Sequence, residues 1–378
     1  MNHWAHPHYR CPITSEPLLL TPYEEETVHF DDQHLETIER LGLPLEKLQQ
    51  RVKTGILTAE ESGFYYPIVN HIPVLRDFNN PGDDHFEKQQ AQHRSDWSQY
   101  QRPNRKPRPG EVITQKSFTT EWNTVQNDEL TFTYNHAERE RFISMELDWP
   151  PPQEVSSDLK VLNVGCGFGM EAFFLANVVN RPVFGMDANL SLLHVAEHVN
   201  LHPLVNVAIA SAFAPPYAHE SFDLVYSHGV LHHTYHTKRA LDSVLRFRKK
   251  EGEIYIWVYA HEDAQIGTFG RKLTYLMELM FRPLIARLPG FLQKPIVNLL
   301  AWKHYRRYRK KGLKRDSWKF SNSVHSIRDR WTPLFAHRHS FHEVITWFLD
   351  NDLDYQLLNP ALYKSELKRK LIGISIRG

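Results

Sequence analysis

The sequence predicts an α/β protein whose main domain is a parallel sheet with helices on both faces. Two observations carry that expectation. From about Lys160 to Ala260, short apolar runs alternate with segments of helical spacing, the pattern left by helical crossovers between parallel strands. The first run, "LKVLNVGCGFG", enters a glycine-rich turn that leads into a helix, and the second ends in an acid, Asp187. The chain has 378 residues, 41% hydrophobic and 24% charged, which suits a globular protein of more than one domain.

In chain order, residues 1–80 read as a small unit ending in "GFYYPIVNHIPVL". Residues 81–112 are rich in Gln, Arg and Pro ("QRPNRKPRPGE") and read as a linker with room for one helix. Residues 113–378 form the main domain, with a basic helical insertion at 264–327. Its strands are "LKVLNV", "PVFGMDA", "VNVAIA", "FDLVYS" and "GEIYIWVYA". Its helices are "MEAFFLANVV", "SLLHVAEHV" and "KRALDSVLRF". Near the end, Ser340 and Glu343 have the spacing of a helix-capping box, and "LDYQLL" and "LIGISIRG" supply two last strands.

Composition bounds the function. A net charge of +1 gives no global argument for nucleic acid or membrane, so such partners must rest on local clusters. Two cysteines, Cys11 and Cys166, exclude a disulfide framework and suit a reducing cytosol. The N-terminus lacks the layout of a secretory signal. The most apolar long stretch, Leu273 to Trp302, is too interrupted by Arg, Lys, Pro and Gly to span a bilayer. The expected location is the cytoplasm.

The glycine turn explains why a ligand belongs here. Gly165, Gly167 and Gly169 leave little bulk between strand and helix, so backbone N–H groups can approach a bound group. Ligands bind at the carboxyl ends of parallel strands, where Asp187 can accept from both hydroxyls of a ribose. A nucleoside-type cofactor follows. A dinucleotide fingerprint wants Gly or Ala where this chain has Met170. The G-x-G-x-G turn, with "VFGMDA", "SFDLVYSHGVLHHT" and "GEIYIWVY" in order, instead resembles the class I S-adenosylmethionine-dependent methyltransferases over roughly residues 115 to 378. The resemblance implies their seven-stranded Rossmann-like sheet and S-adenosylmethionine as cofactor. It carries Gly165, Gly167 and Gly169 over as the loop around the methionine part and Asp187 as the ribose ligand, with Asn163, Cys166, Ala188, Ser211, Ala212 and Ser227 completing the expected cofactor-binding set. Two positions depart from the family: Asn163 stands where an acid is usual, and Ser211 where an Asp is frequent.

The N-terminal unit is similar to the small zinc-ribbon-like domain of methyltransferase activators. Aligned on Cys11-Pro12 and on Gly63 with Tyr66-Pro67-Ile68, its four ligand positions hold Cys11, Thr14, Ala59 and Ser62. One surviving ligand cannot make a tetrahedral zinc site, so the expectation is a ribbon without metal, held by Ile68, Ile72, Val74 and Leu75.

The insertion carries Leu273, Leu276, Met277, Met280 and Leu284 on one helical face. "KHYRRYRKKGLKRDSWK" then interleaves Lys and Arg with Tyr and Trp. Such a run suits a solvated face, an anionic substrate or RNA, or the surface of an anionic membrane. The resemblance adds a helical lid over the substrate site. It also places Phe118 and Trp122 of "SFTTEWNTV" as aromatic cover for the sulfonium, and "DRWTPLFAHRHS" near the reaction.

"SHGVLHHTYHT" packs four histidines into eleven residues. Strand "FDLVYS" ends near Ser227, Gly229 breaks the chain, and a helix starts near Thr237, so these histidines sit on a loop rather than on one helical face. Methyl transfer to an oxygen or nitrogen needs a group to take a proton, and imidazole suits it. The candidates, in order, are His228, His233 and His232, with His337 and His339 behind them. The expected activity is methyl transfer to an O, N or C acceptor on a small molecule or a glycan or lipid precursor. The alternatives are an RNA or translation-factor methyltransferase, and a cofactor-binding protein without catalysis. Peripheral membrane contact is compatible with all of them.

Overall fold

The computed structural model describes residues 1–79, 84–123, 130–131, 134–148, 158–194, 199, 202–261, 269–310, 318–358 and 373–378. A four-stranded antiparallel sheet comes first: β1 (Leu19–Thr27), β2 (Gln50–Ala59), β3 (Phe64–Val69) and β4 (Ile72–Pro73), paired in that order. Residues of β2 are buried along most of its length, and a Cβ on Gly55 would stand 2.6 Å from the Thr21 carbonyl oxygen, so β1 crosses there at backbone distance. Ile68, Ile72 and Leu75 are buried and Val74 is half-buried.

Two of the four positions, Thr14 and Ser62, meet a carboxylate. Glu16 accepts from the Thr14 hydroxyl at 2.8 Å and from the N–H groups of Glu61 (2.8 Å) and Ser62 (3.1 Å). Burial would raise its pKa, but these donors outweigh burial and hold it below the ordinary range. Cys11 is buried with its Sγ 3.1 Å from the Tyr66 hydroxyl. The segment read as a linker contains two short helices, Asp84–Gln89 and Arg94–Trp97. Phe86 and Trp97 pack with Ile56 and Tyr65, and Gln101 exchanges backbone hydrogen bonds with Gly63 and Tyr65. Two aromatics thus anchor a stretch whose composition is otherwise polar.

A seven-stranded sheet forms the main domain. Its strands are β7 (Val161–Val164), β8 (Val183–Asp187), β9 (Val205–Ile209), β10 (Phe222–His228), β11 (Arg248–Tyr259), β12 (Gln356–Leu357) and β13 (Gly373–Arg377), in the order β12-β13-β11-β10-β7-β8-β9. The run β10-β7-β8-β9 is parallel, and β12 pairs antiparallel with β13. A short hairpin, β5 (Leu130–Thr131) and β6 (Tyr134–Asn135), stands apart from it. The strands β7 and β9 are buried at every position, as a parallel sheet covered on both faces requires. The helices Met170–Val179 and Thr237–Leu245 stand where the periodicity puts them. Residues 195–198 of the third expected helix lie outside the described residues, as do residues 262–268.

The chain folds as two compact units. The first holds residues 1–107, 147–228 and 238–255, and the second 108–146, 229–237 and 256–378. Within the first, the chain leaving β4 runs beside β9: Leu75 donates its N–H to the Ile209 carbonyl at 2.8 Å, and Val74 bridges Ile209 in parallel. Trp4, His8 and Tyr9 close on Phe184 at ring distances of 5.1–6.3 Å.

Within the second unit, helices Phe269–Arg287, Gly290–Lys310 and Phe320–Trp331 pack around Ile285, Val297, Ala301, Ile327 and Trp331. The last of these runs past Ile327, where the insertion was expected to end. The apolar stripe Leu273, Leu276, Met277, Met280 and Leu284 has an unusual setting. They do share one helical face, but that face is exposed, while the opposite face buries Glu278, Arg282 and Ile285. Ser340 caps the helix Phe341–Leu349 by accepting from the Glu343 N–H at 3.1 Å.

Candidate functional site

In the first unit, the carboxyl ends of β7, β8, β9 and β10 bring the sequence-predicted cofactor residues together. Gly165, Gly167 and Gly169 all adopt positive φ, +83°, +62° and +97°, which side-chain-bearing residues avoid. The loop is tied to the end of β8: Gly165 and Cys166 both donate N–H to the Met186 carbonyl, at 2.7 and 3.1 Å. Asp187 closes it from the side. One carboxylate oxygen accepts from the Gly167 N–H and the other from the Asn189 N–H, each at 2.9 Å. Burial pushes the Asp187 pKa up, and the backbone donors pull against that rise. Cys166 is buried, and burial beside Asp187 keeps it a thiol.

Asn189 belongs to this site and was not foreseen. Its Nδ2 donates to the Gly167 carbonyl at 2.7 Å, and its Oδ1 accepts from the Ser191 N–H at 2.9 Å. The clue in the sequence was an Asn placed before Leu-Ser, the pattern of an Asx turn opening a helix.

Asn163 is fully buried on β7, in register with Gly185 of β8 and Tyr226 of β10. Among the described residues, neither its amide nitrogen nor its amide oxygen has a hydrogen-bond partner. A buried amide without partners is costly, about 1–3 kcal/mol per group, so a polar ligand at the strand ends fits it. Ser211 and Ala212 follow β9 directly. Ser211 is buried, accepts from the Phe213 N–H through Oγ at 3.2 Å, and so forms a tight turn beside the end of β8. Ser227, on β10, donates to the Val164 carbonyl at 3.1 Å, which brings the next residue, His228, level with the start of the glycine loop.

His228 is positioned by aromatic neighbours. Its Nδ1 is 3.0 Å from the Tyr255 hydroxyl, and the two rings lie 7° from parallel. Tyr255 stacks on Tyr226 at 4.7 Å, and Tyr226 donates to Glu171 at 3.1 Å. Glu171 sits in the first turn of the helix that leaves the loop.

His232 and His233 lie in the second unit, on a 3-10 turn after Gly229 (φ +77°). His233 Nδ1 donates to the Phe335 carbonyl at 2.9 Å, and its Nε2 faces Asp329 Oδ1 at 3.6 Å. Tyr259 donates to the other oxygen of Asp329 at 2.7 Å. Burial lowers the His233 pKa, with Asp329 and the Phe335 carbonyl opposing. His232 is fully buried, its ring centroid 3.9 Å from that of Tyr259, and among the described residues neither ring nitrogen has a hydrogen-bond partner. Burial, then His233 and His339, keep it neutral. The other histidines do separate work: His339 bridges Thr237 and Glu343, and the His337 N–H holds the His232 carbonyl. Among the described residues, no group of three or more His, Cys, Asp or Glu is placed to hold a metal.

Phe118 and Trp122 lie on the helix Glu111–Trp122 of the same unit, edge-on to His233 at 5.2 Å and tilted on His325 at 5.0 Å. That helix buries polar residues, Gln115, Ser117 and Glu121. Ser117 meets Thr332 at 2.7 Å, and Glu121 lies 3.2 Å from His325. Burial raises the Glu121 carboxyl well above the ordinary range and lowers His325 to about 4.

Residues 162–256 match the family of the methyltransferase domain. The chain is 28% identical over 102 residues to phosphoethanolamine N-methyltransferase 1 of Zea mays, covering 26% of this chain and 20% of that one. It is 30% identical over 135 residues to the uncharacterized protein MJ1252 of Methanocaldococcus jannaschii, covering 35% and 50%. Over 78 residues it is 36% identical to methyltransferase GfsG of Streptomyces halstedii, covering 20% and 28%. The chain therefore spans between a fifth and a half of the length of these curated relatives. Among solved structures, the YcgJ protein of Bacillus subtilis aligns with a TM-score of 0.39 at 16% identity, covering 65% of this chain and 98% of that one. The plantazolicin methyltransferase BpumL, solved with SAH, aligns with a TM-score of 0.38 at 14% identity, covering 71% and 95%.

Proposed function

We propose that this chain, whose residues 162–256 form a methyltransferase domain, is an S-adenosylmethionine-dependent methyltransferase. The acceptor is an oxygen, nitrogen or carbon of a small molecule or of a glycan or lipid precursor. The observation that carries the reading is the glycine loop pinned by Asp187 and Asn189 beside an unpartnered, buried Asn163. S-adenosylmethionine is the cofactor of such a domain. Gly165, Gly167 and Gly169 would receive its methionine part, Asp187 its ribose hydroxyls and Asn163 its amino-acid end. The bound cofactor supplies an activated methyl group, and the protein contributes alignment and exclusion of water.

His228 is the base this reading favours. In the tautomer a base requires, Nδ1–H donates to the Tyr255 oxygen and Nε2 presents the lone pair that takes the acceptor's proton. Relatives named for phosphoethanolamine N-methylation support a small-molecule acceptor over a nucleic acid.

Calorimetry with S-adenosylmethionine and S-adenosylhomocysteine tests the cofactor. Saturable binding of both is expected, weakened by Asp187→Ala, and no measurable heat with either overturns the proposal. Mass spectrometry of a metabolite extract incubated with methyl-labelled cofactor then tests the acceptor. Label in a small molecule is the expected result. Label confined to RNA or protein refutes the acceptor class, and binding without any transfer refutes catalysis.

A further inference from the structure

The helix Phe269–Arg287 is built largely inside out. A helix on a protein surface normally turns its apolar stripe inward and its charges to water. Here the inward face of the first helix carries Glu278 and Arg282, with Arg282, Arg330 and Arg338 all gathered on the Glu278 carboxylate. Its outward face carries Leu273, Leu276, Met277, Met280 and Leu284, with Met280 at 60% and Leu284 at 62% exposure. The second helix, Gly290–Lys310, buries apolar Val297 and Ala301 in the ordinary way, yet it also leaves Phe291 (76% exposed), Leu292, Leu299 and Trp302 in solvent. Large apolar side chains exposed in such number on two successive helices mark a surface that another body covers.

Charge says what that body is. From Leu279 to Lys310 the sequence has eight Lys and Arg and no Asp or Glu. Lys294, Lys303, Arg306, Arg307 and Arg309 are exposed on the same helix as the apolar residues, and the Arg306 guanidinium lies over the Trp302 ring at 4.5 Å. A second copy of the chain would bring a second cationic surface against the first. A nucleic acid would satisfy the arginines but leave the leucines and methionines uncovered. An anionic lipid surface satisfies both, because acyl chains take the apolar face and headgroups take the cations. No described helix is long and apolar enough to cross a bilayer, so the mode is interfacial.

We propose that the helix pair Phe269–Arg287 and Gly290–Lys310 docks this protein on the surface of an anionic lipid bilayer, with Met280, Leu284, Phe291 and Trp302 entering the headgroup layer. The proposal does not rest on the methyl-transfer reading, and its test needs no cofactor.

The full chain is floated with vesicles of phosphatidylcholine alone, and with vesicles holding about one quarter phosphatidylglycerol. Co-flotation with the anionic vesicles, reduced by salt, is the expected result. A Met280→Gln, Leu284→Gln, Phe291→Gln variant should lose binding by roughly tenfold or more, since all three side chains are exposed and leave the core untouched. An Arg306→Gln, Arg307→Gln, Arg309→Gln variant should keep weak binding and lose the preference for anionic lipid. Thermal melts matching the wild type exclude misfolding as the cause. Failure of the wild type to float with either vesicle at low salt overturns the proposal. A concentration-dependent dimer that anionic vesicles do not dissociate also overturns it, and assigns the face to a second copy.

Discussion

Gly169 is the position where the glycine loop can be tested most directly, because two separable costs oppose any side chain there. Its φ of +97° lies where an L residue is strained, at about 1–3 kcal/mol. A Cβ built on it would stand 2.7 Å from Val199 Cγ2, and 3.3 and 3.4 Å from Cγ1 and Cβ. Valine is β-branched and buried, so it cannot swing away as a flexible chain end would. Relieving the overlap by shifting the packed helix is worth about another 1–3 kcal/mol. Gly169→Ala should therefore destabilise the fold by about 2–5 kcal/mol in urea denaturation, and should weaken S-adenosylmethionine in calorimetry if the loop moves instead. The two costs separate in a Val199→Ala background. There the overlap is gone and the strain remains, so the cost of Gly169→Ala should fall to about 1–3 kcal/mol, leaving a coupling of similar size. Wild-type stability and wild-type affinity in Gly169→Ala would refute the reading of this loop as a strained, close-packed cradle. Equal costs in both backgrounds would refute the role given to Val199.

The other expectations follow from the same unit. His228→Ala should lower kcat by roughly 10²–10⁴-fold for an oxygen or nitrogen acceptor. Tyr255→Phe should cost less and mainly move the pH profile, because it removes a positioning partner and leaves the imidazole; a His228→Ala enzyme with unchanged kcat would remove His228 from the chemistry. His202 predicts a pH dependence of stability. Its Nδ1 accepts from the Leu204 N–H and its Nε2–H donates to Asn177 Oδ1 at 3.1 Å, so the neutral ring is fully satisfied and a proton on Nδ1 would oppose the Leu204 N–H. Burial, then His34 and Arg51, lower its pKa to about 3. A lowered histidine pKa means the unfolded chain takes the proton first. The contribution of His202 is therefore whole above about pH 6.5 and is lost as pH falls toward 3, amounting to about 3 kcal/mol by pH 4. Urea denaturation between pH 7 and 4 should show that loss, and His202→Gln should flatten it; equal slopes in the two proteins would refute the assignment.

Much of the strand order was legible because its signals are local. Buried parallel strands write near-continuous apolar runs, and "VLNV", "VFGMD" and "VNVAI" are such runs. The glycine loop was legible because positive φ at three nearby positions demands glycine at each. The histidine-rich loop was legible in part: Gly229 does break the chain after β10, but which nitrogen meets Tyr255, Phe335 or nothing depends on residues up to 102 positions away. Asn189 and Glu16 were missed for a related reason. Each is one polar residue among many, and its role lies in backbone groups brought to it by the fold. Phe86 and Trp97 show the converse, since two aromatics anchor a segment whose average composition reads as a linker.

The exposed face of Phe269–Arg287 marks where pattern reading stops for a deeper reason. Periodicity reports that one side of a helix is apolar, but it is blind to which way that side turns. The usual inference adds an unstated premise, that water is the only solvent available, and then assigns the apolar side to the core. Glu278 reverses that assignment here. A carboxylate with no exposed surface is stable only with cations around it, and Arg282, Arg330 and Arg338 supply them from two helices and the chain beyond. Once that cluster fixes the inner face, the leucines and methionines have to point outward. The apolar stripe thus becomes, with one buried ion cluster known, evidence for a second solvent. Glu278→Gln separates these views. It should loosen the helix and lower thermal stability, because it leaves three buried or half-buried guanidinium groups short of a counter-charge. If it left stability unchanged, the cluster would not be what orients the helix, and the outward face would lose its structural cause.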